Sequence, residues 1–216
     1  DGTVVNKRRQ FGVMLLSKTP ILSSRLHLLP KLETLSHLNY ETGAIEGVID
    51  TGAGPLRLYS LHLSYLTRRE RLLQIEALLK IQQRASCCGG MWSGPPAEIE
   101  QWGEGQQPPP MPRDAILMGD FNSEPDTPEY TLLAGEPGQR VGQVEYTDRF
   151  VDAWRMCHPH EDCFTQSAGA DPEAKPPRRV DYCFVSPSLK ARVNEAWVDT
   201  HADGSDHQPC WFDIDL

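Results

Sequence analysis

Three short segments, each with a carboxylate beside an amide or an imidazole, carry the residues most able to do chemistry. An apolar run at 115–118 leads into Gly-Asp-Phe-Asn at 119–122, and Arg-Val-Asp-Tyr at 179–182 and Gly-Ser-Asp-His at 204–207 follow downstream. Each motif alone is also compatible with a simple turn. Converging at one edge of a sheet, they would form an acidic pocket for a divalent cation and a phosphate ester. The ordered set therefore predicts a phosphoester hydrolase.

The first of these segments pairs Asp120 with Asn122. Asp120 follows an apolar strand, so we expect rigid backbone to hold its carboxylate at the sheet edge. Asn122 points the same way if the extended conformation continues, because side chains two residues apart share a face of a strand. Its amide would then donate to a phosphate oxygen while Asp120 accepts from a water or binds a metal. An Asx turn is the alternative.

Two histidines, His207 and His62, are candidates for a catalytic role because of their sequence context. His207 needs an acceptor to fix its tautomer, and Asp181 is the best candidate in the sequence. The pair would hold an imidazole near the scissile phosphate as general acid, as general base or as a stabiliser of developing charge. His62 is a second histidine at the end of a predicted strand, and its alternative is a partly buried polar residue.

The net charge of −9 lowers the expectation of tight, non-specific duplex binding, although a bound metal ion and a local basic rim would reverse the potential at the site. Candidates for such a rim are Arg68, Arg69, Arg71, Arg178 and Arg179. No apolar run approaches the roughly twenty residues that span a bilayer. We therefore predict no transmembrane segment.

The six cysteines show no repeated CxxC spacing. Cys183 and Cys210 lie in apolar runs and are predicted to be buried small residues. Cys157 and Cys163 flank two histidines and two acids, which leaves three alternatives: a zinc site, a loop disulfide, or free thiols. Free thiols in a reducing cytoplasm are favoured, and the compartment is otherwise open.

Apolar periodicity predicts the elements that must position these residues. Strands are expected at 11–16, 21–29, 44–50, 56–61, 115–118, 180–185, 191–198 and 210–214. A helix follows Thr67, its predicted N-cap, with Glu70 completing a capping box, and a shorter helix is expected at 127–134. Residues 86–113 are rich in Gly, Pro and Gln and predict an exposed insertion. Two packed sheets with outer helices suit this pattern better than a βαβ winding.

Taken together, these segments resemble the endonuclease/exonuclease/phosphatase superfamily over essentially the whole chain. The matching blocks are residues 11–20, Tyr-Ser-Leu-His-Leu at 59–63, Arg71, Gln74, 119–122, 152–154, 179–182 and 205–207. The resemblance implies a single α/β domain over 1–216, folded as a four-layer αββα sandwich of two mainly antiparallel sheets. It also implies hydrolysis that depends on Mg²⁺ or Mn²⁺.

By position, the resemblance implies a role for each catalytic candidate. Asp120 would align or deprotonate the attacking water, and Asn122 would bind phosphate. Asp181 would orient His207, and His62 would contact the phosphate.

The metal site departs from the family pattern. The resemblance assigns metal binding to Asp206 and Asp120, but the family's principal ligand is a Glu on an early strand. Glu33, Glu41 and Glu46 lie in the wrong context for it. We therefore expect that the first two strands, and this Glu, lie upstream of residue 1, and that the chain alone binds metal weakly.

The leading interpretation is a monomeric, metal-dependent phosphodiesterase or phosphatase. Its substrate would be a phosphoester in nucleic acid, a sugar phosphate or a lipid head group. The alternative is a non-catalytic binding module that retains the fold. Loss of site residues would favour that alternative, whereas every family position within this chain is intact.

Overall fold

The computed structural model describes residues 12–88, 110–140, 142–166 and 176–216. Its strands are β1 Ile21–Leu28, β2 Gly43–Asp50, β3 Pro55–His62, β4 Ala115–Asp120, β5 Glu136–Gly138, β6 Gly142–Val144, β7 Val151–Asp152, β8 Asp181–Val185, β9 Val193–Val198 and β10 Cys210–Ile214. The helices are α1 Arg68–Ala85, α2 Pro128–Ala134 and α3 Ala153–Cys157, with a 3₁₀ helix at Pro187–Arg192.

Six strands form the main sheet in the order β1-β2-β3-β4-β8-β7. Neighbouring strands are antiparallel except β3 and β4, which run parallel. A parallel pair needs a long crossover, and α1 lies within the connection between these two strands. Two-stranded antiparallel sheets, β9–β10 and β5–β6, complete the described architecture.

The central strands β3, β4 and β8 are apolar on both faces, and a core therefore lies on each side of the main sheet. Leu61, Leu117 and Phe184 lie in one core with residues of α1 and α2. Leu58, Ile116 and Val185 lie in the other, against which residues of β10 pack. Burial on both faces explains why these strands read as continuous apolar runs. The predicted fold class, mixed α/β with more than one sheet, is confirmed.

Helix α1 begins as predicted, but its capping residues are used differently. The Thr67 hydroxyl accepts from the Glu70 backbone N–H at 3.2 Å. The buried Glu70 carboxylate instead accepts from Leu32 N–H at 3.0 Å and from the Asn39 amide at 3.1 Å. Glu70 therefore fastens the 30–40 loop to the helix.

A buried ion pair lies on the helix-facing side of the main sheet. Glu46 on β2 is 3% exposed and accepts from Arg57 Nε at 3.0 Å and from His27 Nε2 at 2.6 Å. Arg57 also donates to the Ala85 carbonyl at the end of α1. A buried charge is tolerated where it is paired and hydrogen-bonded in this way.

The prediction of a strand at 11–16 is wrong for the described residues 12–16, which form no strand. Met14 and Leu16 are 70% and 80% exposed, while Leu15 packs on the core that contains Leu58. Apolar character alone does not make a strand, because its backbone groups also need pairing partners. Of the predicted insertion at 86–113, residues 89–109 lie outside the described part of the chain.

All six cysteines are free thiols, so Cys157 and Cys163 do not form a disulfide. Burial raises the pKa of the Cys163 thiol to about 11. Among the described helices, none combines the length and apolar character needed to cross a membrane.

Candidate active site

Sheet register brings three of the predicted side chains together. His62 ends β3 and pairs with Asp120 at the end of β4, and Asp120 in turn pairs with Asp181 at the start of β8. His62 Nε2 lies 3.5 Å from Asp120 Oδ2. Three neighbouring strand ends thus present two carboxylates and an imidazole side by side.

Gly119 allows β4 to approach β3 at this edge. Its φ is +141°, a region that side chains rarely adopt, and a Cβ built there would lie 1.9 Å from the Leu61 carbonyl oxygen. Glycine alone meets both conditions. The residue before Asp120 therefore sets how closely the carboxylate approaches His62.

Asn122 does not continue the extended conformation, so the expectation that it points the same way by strand geometry is wrong. Its φ is +49°, and its backbone N–H donates to Asp120 Oδ1 at 2.7 Å, which is an Asx turn. Its amide donates to Asp120 Oδ2 at 3.1 Å and to the Leu63 carbonyl at 3.0 Å. Asn122 therefore orients both oxygens of Asp120.

Asp181 and His207 form the predicted pair. His207 Nδ1 lies 2.8 Å from Asp181 Oδ2, and His207 Nε2 lies 3.1 Å from the Gln166 amide nitrogen. With Nδ1–H donating to the carboxylate, Nε2 is the acceptor of the Gln166 amide. Asp181 Oδ2 and the Gln166 amide therefore favour the same tautomer of His207, the one with its proton on Nδ1.

Burial raises the pKa of Asp181 above its usual value, and the nearby Asp120 charge acts in the same direction. Hydrogen bonds to Thr165 and His207 and the His207 charge oppose this rise. Ligand atoms of Asp120, Asp181 and His207 lie within 4.8 Å of one another, the one such group among the described residues. Two crowded carboxylates with an imidazole fit a divalent cation, since it would offset their mutual repulsion.

Asp206, a predicted metal ligand, lies outside this three-residue group. Its side chain is exposed and accepts from the Gln166 amide at 3.3 Å. The structure therefore brings together Asp120, Asn122, Asp181, His207 and His62 and places Asp206 beside them.

The comparisons with known proteins decide the family. The model of the "Endonuclease/Exonuclease/phosphatase family" matches residues 3–207. The chain belongs to this family. No curated protein sequence matches it.

Three solved structures of similar fold illustrate the family. An endonuclease/exonuclease/phosphatase protein from Bacteroides vulgatus has a TM-score of 0.58 and 16% identity over 92% of this chain and 67% of its own. A mannosyl-6-phosphatase from Bacteroides thetaiotaomicron has 0.56 and 17% over 92% and 68%. The 3′ phosphatase NExo from Neisseria, bound to product DNA hairpin, has 0.51 and 17% over 93% and 73%. Membership of the family supports a phosphoesterase-type function.

Two residues at family positions on α1 serve the scaffold of the site. The Gln74 side chain is fully buried, accepts from Ser64 N–H at 2.8 Å, and donates to the Pro30 carbonyl at 3.0 Å and to the Thr42 hydroxyl at 2.8 Å. Arg71 donates to the Ser64 carbonyl at 3.2 Å and to buried Glu129 at 2.9 Å. Both side chains therefore tie the segment after His62 to other parts of the fold.

Arg179 is not part of a basic rim. It is 3% exposed, donates to Asp152 Oδ1 at 2.6 Å, and lies 4.5 Å from the centroid of the Tyr182 ring. Burial acts to lower its pKa, but the Asp152 charge and hydrogen bond raise it overall. Arg178 Nε donates to Gln166 Oε1 at 3.2 Å. The family's Asp-Ala-Trp block and the Arg of its Arg-Val-Asp-Tyr block are therefore joined by a buried ion pair.

Sequence reasoning missed four residues at or beside the site: Thr165, Gln166, Tyr40 and Tyr65. Thr165 accepts from the Asp181 N–H at 3.0 Å, and Gln166 contacts His207. No periodicity or motif marks either one. Tyr65 could have been found from the sequence, because it lies three residues after His62, the candidate site residue that ends β3.

Proposed function

We propose that this family member hydrolyses phosphoester bonds with Mg²⁺ or Mn²⁺ and an Asp–His pair. One observation carries the proposal: His62, Asp120 and Asp181 occupy paired positions on adjacent strands, with His207 bonded to Asp181. This arrangement combines a metal-ligand group with a properly oriented imidazole. A bound cation would stabilise charge on the phosphoryl oxygens, and the imidazole would act as a general acid or base.

Asp120 would hold the ion, because the resemblance assigns metal binding to this residue and it belongs to the group whose ligand atoms lie within 4.8 Å of one another. The cation, when bound, would neutralise charge on the phosphoryl oxygens. A hard ion suits oxygen donors, and this supports Mg²⁺ or Mn²⁺. Asp206 stays a predicted metal ligand.

The remaining roles concern protons and positioning. Asp120 accepts a proton from, or aligns, the attacking water, and Asn122 holds Asp120 in place. Contact of Asn122 with phosphate, as predicted, requires its amide to turn away from the Leu63 carbonyl. His207, held by Asp181, exchanges a proton or stabilises charge through Nε2 once Gln166 gives way to the substrate. His62 contacts the phosphate from the other side of Asp120.

We also propose that residues 1–216 belong to a single domain and that the protein is a monomer. The similar structures include a mannosyl-6-phosphatase and a 3′ phosphatase bound to product DNA hairpin. These two proteins resemble this chain in fold, at 17% sequence identity. Nucleic acid, sugar phosphate and lipid head group are therefore all substrates to be tested.

Hydrolysis of bis-p-nitrophenyl phosphate tests the proposal. Turnover should require Mg²⁺ or Mn²⁺ and stop in EDTA. His207→Ala should lower turnover by roughly two to four orders of magnitude, the usual scale for a positioned acid or base. Asp181→Asn should cost less, because it changes only the orientation and charge environment of the imidazole.

His201→Ala is the matched control, because this exposed histidine lies six residues before His207, outside the cluster. Activity in excess EDTA, or full activity of His207→Ala, would contradict the assigned roles. Phosphate binding without turnover in the intact protein would instead favour the non-catalytic binding module.

A further inference from the structure

Gln166 lies between the segments that carry Asp181 and His207. Its backbone forms antiparallel bridges with Arg178 on one side and with His207 on the other. The Gln166 N–H donates to the Arg178 carbonyl at 2.9 Å, and the Arg178 N–H donates to the Gln166 carbonyl at 3.0 Å. The Gln166 side chain is therefore attached to backbone that is held from both sides.

The chemistry of its partners decides which end of the Gln166 amide faces His207. The amide oxygen accepts from Arg178 Nε at 3.2 Å and also from Nη2, and a guanidinium group can only donate. The amide nitrogen donates to Asp206 Oδ2 at 3.3 Å, and an ionised carboxylate can only accept. The same nitrogen lies 3.1 Å from His207 Nε2 and therefore faces the ring as a donor.

Gln166 and His207 thus present a donor and an acceptor side by side. Because Asp181 binds the protonated Nδ1 of His207 at 2.8 Å, Nε2 carries a lone pair. A hydroxyl group is the complement of this pair, since its oxygen accepts from the amide while its hydrogen is donated to the ring. An oxygen about 2.9 Å from both nitrogens would form a nearly equilateral triangle with them, because they lie 3.1 Å apart. One hydroxyl oxygen can therefore bind both side chains at once.

Hydrolysis of a phosphoester involves two molecules that carry a hydroxyl group, the attacking water and the alcohol that leaves. The proposed function places the water at Asp120. The attacking and leaving oxygens lie roughly in line on opposite sides of phosphorus, so they need separate contacts. From Asp120, the contacts run through Asp181 and His207 and end at Gln166. The hydroxyl that suits Gln166 is therefore that of the leaving alcohol.

We infer that Gln166 is a further catalytic residue whose amide N–H donates to the leaving oxygen of the phosphoester, and that Arg178 is its positioning residue. This inference rests on the proposed phosphoesterase function. As the phosphorus–oxygen bond breaks, its electron pair passes to the leaving oxygen, where a donor oriented in advance stabilises the charge. Gln166 supplies a hydrogen bond and exchanges no proton. In net terms, water gives its hydroxyl to phosphorus and its proton to the alcohol.

Two diesters that differ only in the leaving group test the inference: methyl p-nitrophenyl phosphate and methyl phenyl phosphate, with Mg²⁺ present. Charge on p-nitrophenolate spreads into the nitro group, whereas phenolate keeps more charge on the oxygen that Gln166 would contact. Gln166→Met keeps the length of the side chain but has no N–H. It should lower kcat for phenol release by about a hundredfold, the scale for removing one oxyanion donor, and for p-nitrophenol release by less than about tenfold.

Gln82→Met is the matched control, because the Gln82 amide is also bonded at both ends. Its oxygen accepts from the Tyr59 hydroxyl at 3.1 Å, and its nitrogen donates to the Arg113 carbonyl at 2.7 Å. Gln82 lies near the end of α1, outside the cluster of Asp120, Asp181 and His207. This variant should keep the ratio of the two rates that the wild type shows.

Arg178→Met tests the positioning role, because it leaves the Gln166 amide without the partner of its oxygen. It should change the ratio of the two rates in the same direction as Gln166→Met, by a smaller factor. In the Gln166→Met background it should change the ratio no further, since residues that act through one contact are not additive. A further change in that background would overturn the role of Arg178.

If Gln166→Met fails to fold, Gln166→Glu replaces it, because glutamate keeps the shape and an oxygen for Arg178 but lacks the N–H. The ratio should change in the same direction. An equal loss for both esters, no loss, a larger loss for the p-nitrophenyl ester, or a wild type that releases no phenol would overturn the inference alone. Absent turnover of bis-p-nitrophenyl phosphate by the wild type would instead refute the proposed function, and this inference with it.

Discussion

Gly119→Ala offers a strong test of how the sheet builds the site. The new Cβ would lie 1.9 Å from the Leu61 carbonyl oxygen and 2.9 Å from its carbon, where real Cβ atoms essentially never come within 3.0 Å of a neighbour. Both obstacles are backbone atoms, so no side chain can swing away. Strands β3 and β4 must therefore separate by more than 1 Å at this point.

The separation acts on catalysis because each clashing residue directly precedes a site residue. Leu61 leads to His62, and Gly119 leads to Asp120, whose side chains lie 3.5 Å apart. A misplacement of about 1 Å costs about a hundredfold in rate. Positive φ and the overlap should also cost about 1–3 kcal/mol of stability.

Gly135→Ala separates the two effects. Gly135 has φ +93°, and a Cβ there would also lie 1.9 Å from a backbone oxygen, that of Val144. Gly135 follows α2, away from the paired strand ends. Thermal unfolding should show a loss for both variants, whereas turnover of bis-p-nitrophenyl phosphate per folded molecule should fall only in Gly119→Ala. Equal turnover by Gly119→Ala and the parent would refute the argument that strand spacing sets the site.

Three stability predictions follow from the buried contacts. Arg179→Met leaves the Asp152 carboxylate buried without its cation and should lower the free energy of unfolding in urea by about 3–5 kcal/mol; an unchanged midpoint would contradict this. Burial acts to raise the pKa of Glu46, but hydrogen bonds and charges from His27 and Arg57 lower it overall, below its ordinary value. The stabilisation is therefore present above the ordinary pKa of a glutamate and is lost as pH falls through the lower folded-state pKa. Glu46→Gln should therefore flatten the acid limb of melting temperature against pH, and an equally steep limb would count against it. Thr67→Ala removes the N-cap of α1 and should cost about 1 kcal/mol in the same urea assay, with Thr127→Ala at the cap of α2 as its counterpart.

The fold class and the pairing of Asp181 with His207 were predictable because each depends on a local signal. Apolar runs marked strands β1 to β4 and β8 to β10, and the Thr67 cap marked the start of α1. The carboxylate that orients His207 was inferred from its place at a strand end. Elements shorter than four residues, such as the β5–β6 hairpin, gave no period to detect.

Other details depended on contacts that sequence periodicity does not contain. Asn122 turns into positive φ because Asp120 accepts its N–H, which a strand pattern cannot indicate. Arg179 turns inward because Asp152, 27 residues earlier, lies buried beside it. Gln166 reaches His207 across 41 residues of chain. Long-range polar contacts of this kind become visible only once the strands are placed.

Gln74 has a consequence for how this enzyme can change over evolution. One buried amide binds the segment after His62 and the segment after Tyr40, so it sets the spacing between these two segments beside the candidate site. A substitution at Gln74, or in the turn of helix beneath it, would alter that spacing without touching any ligand. Ligand choice can therefore drift through interior substitutions while the catalytic side chains stay the same.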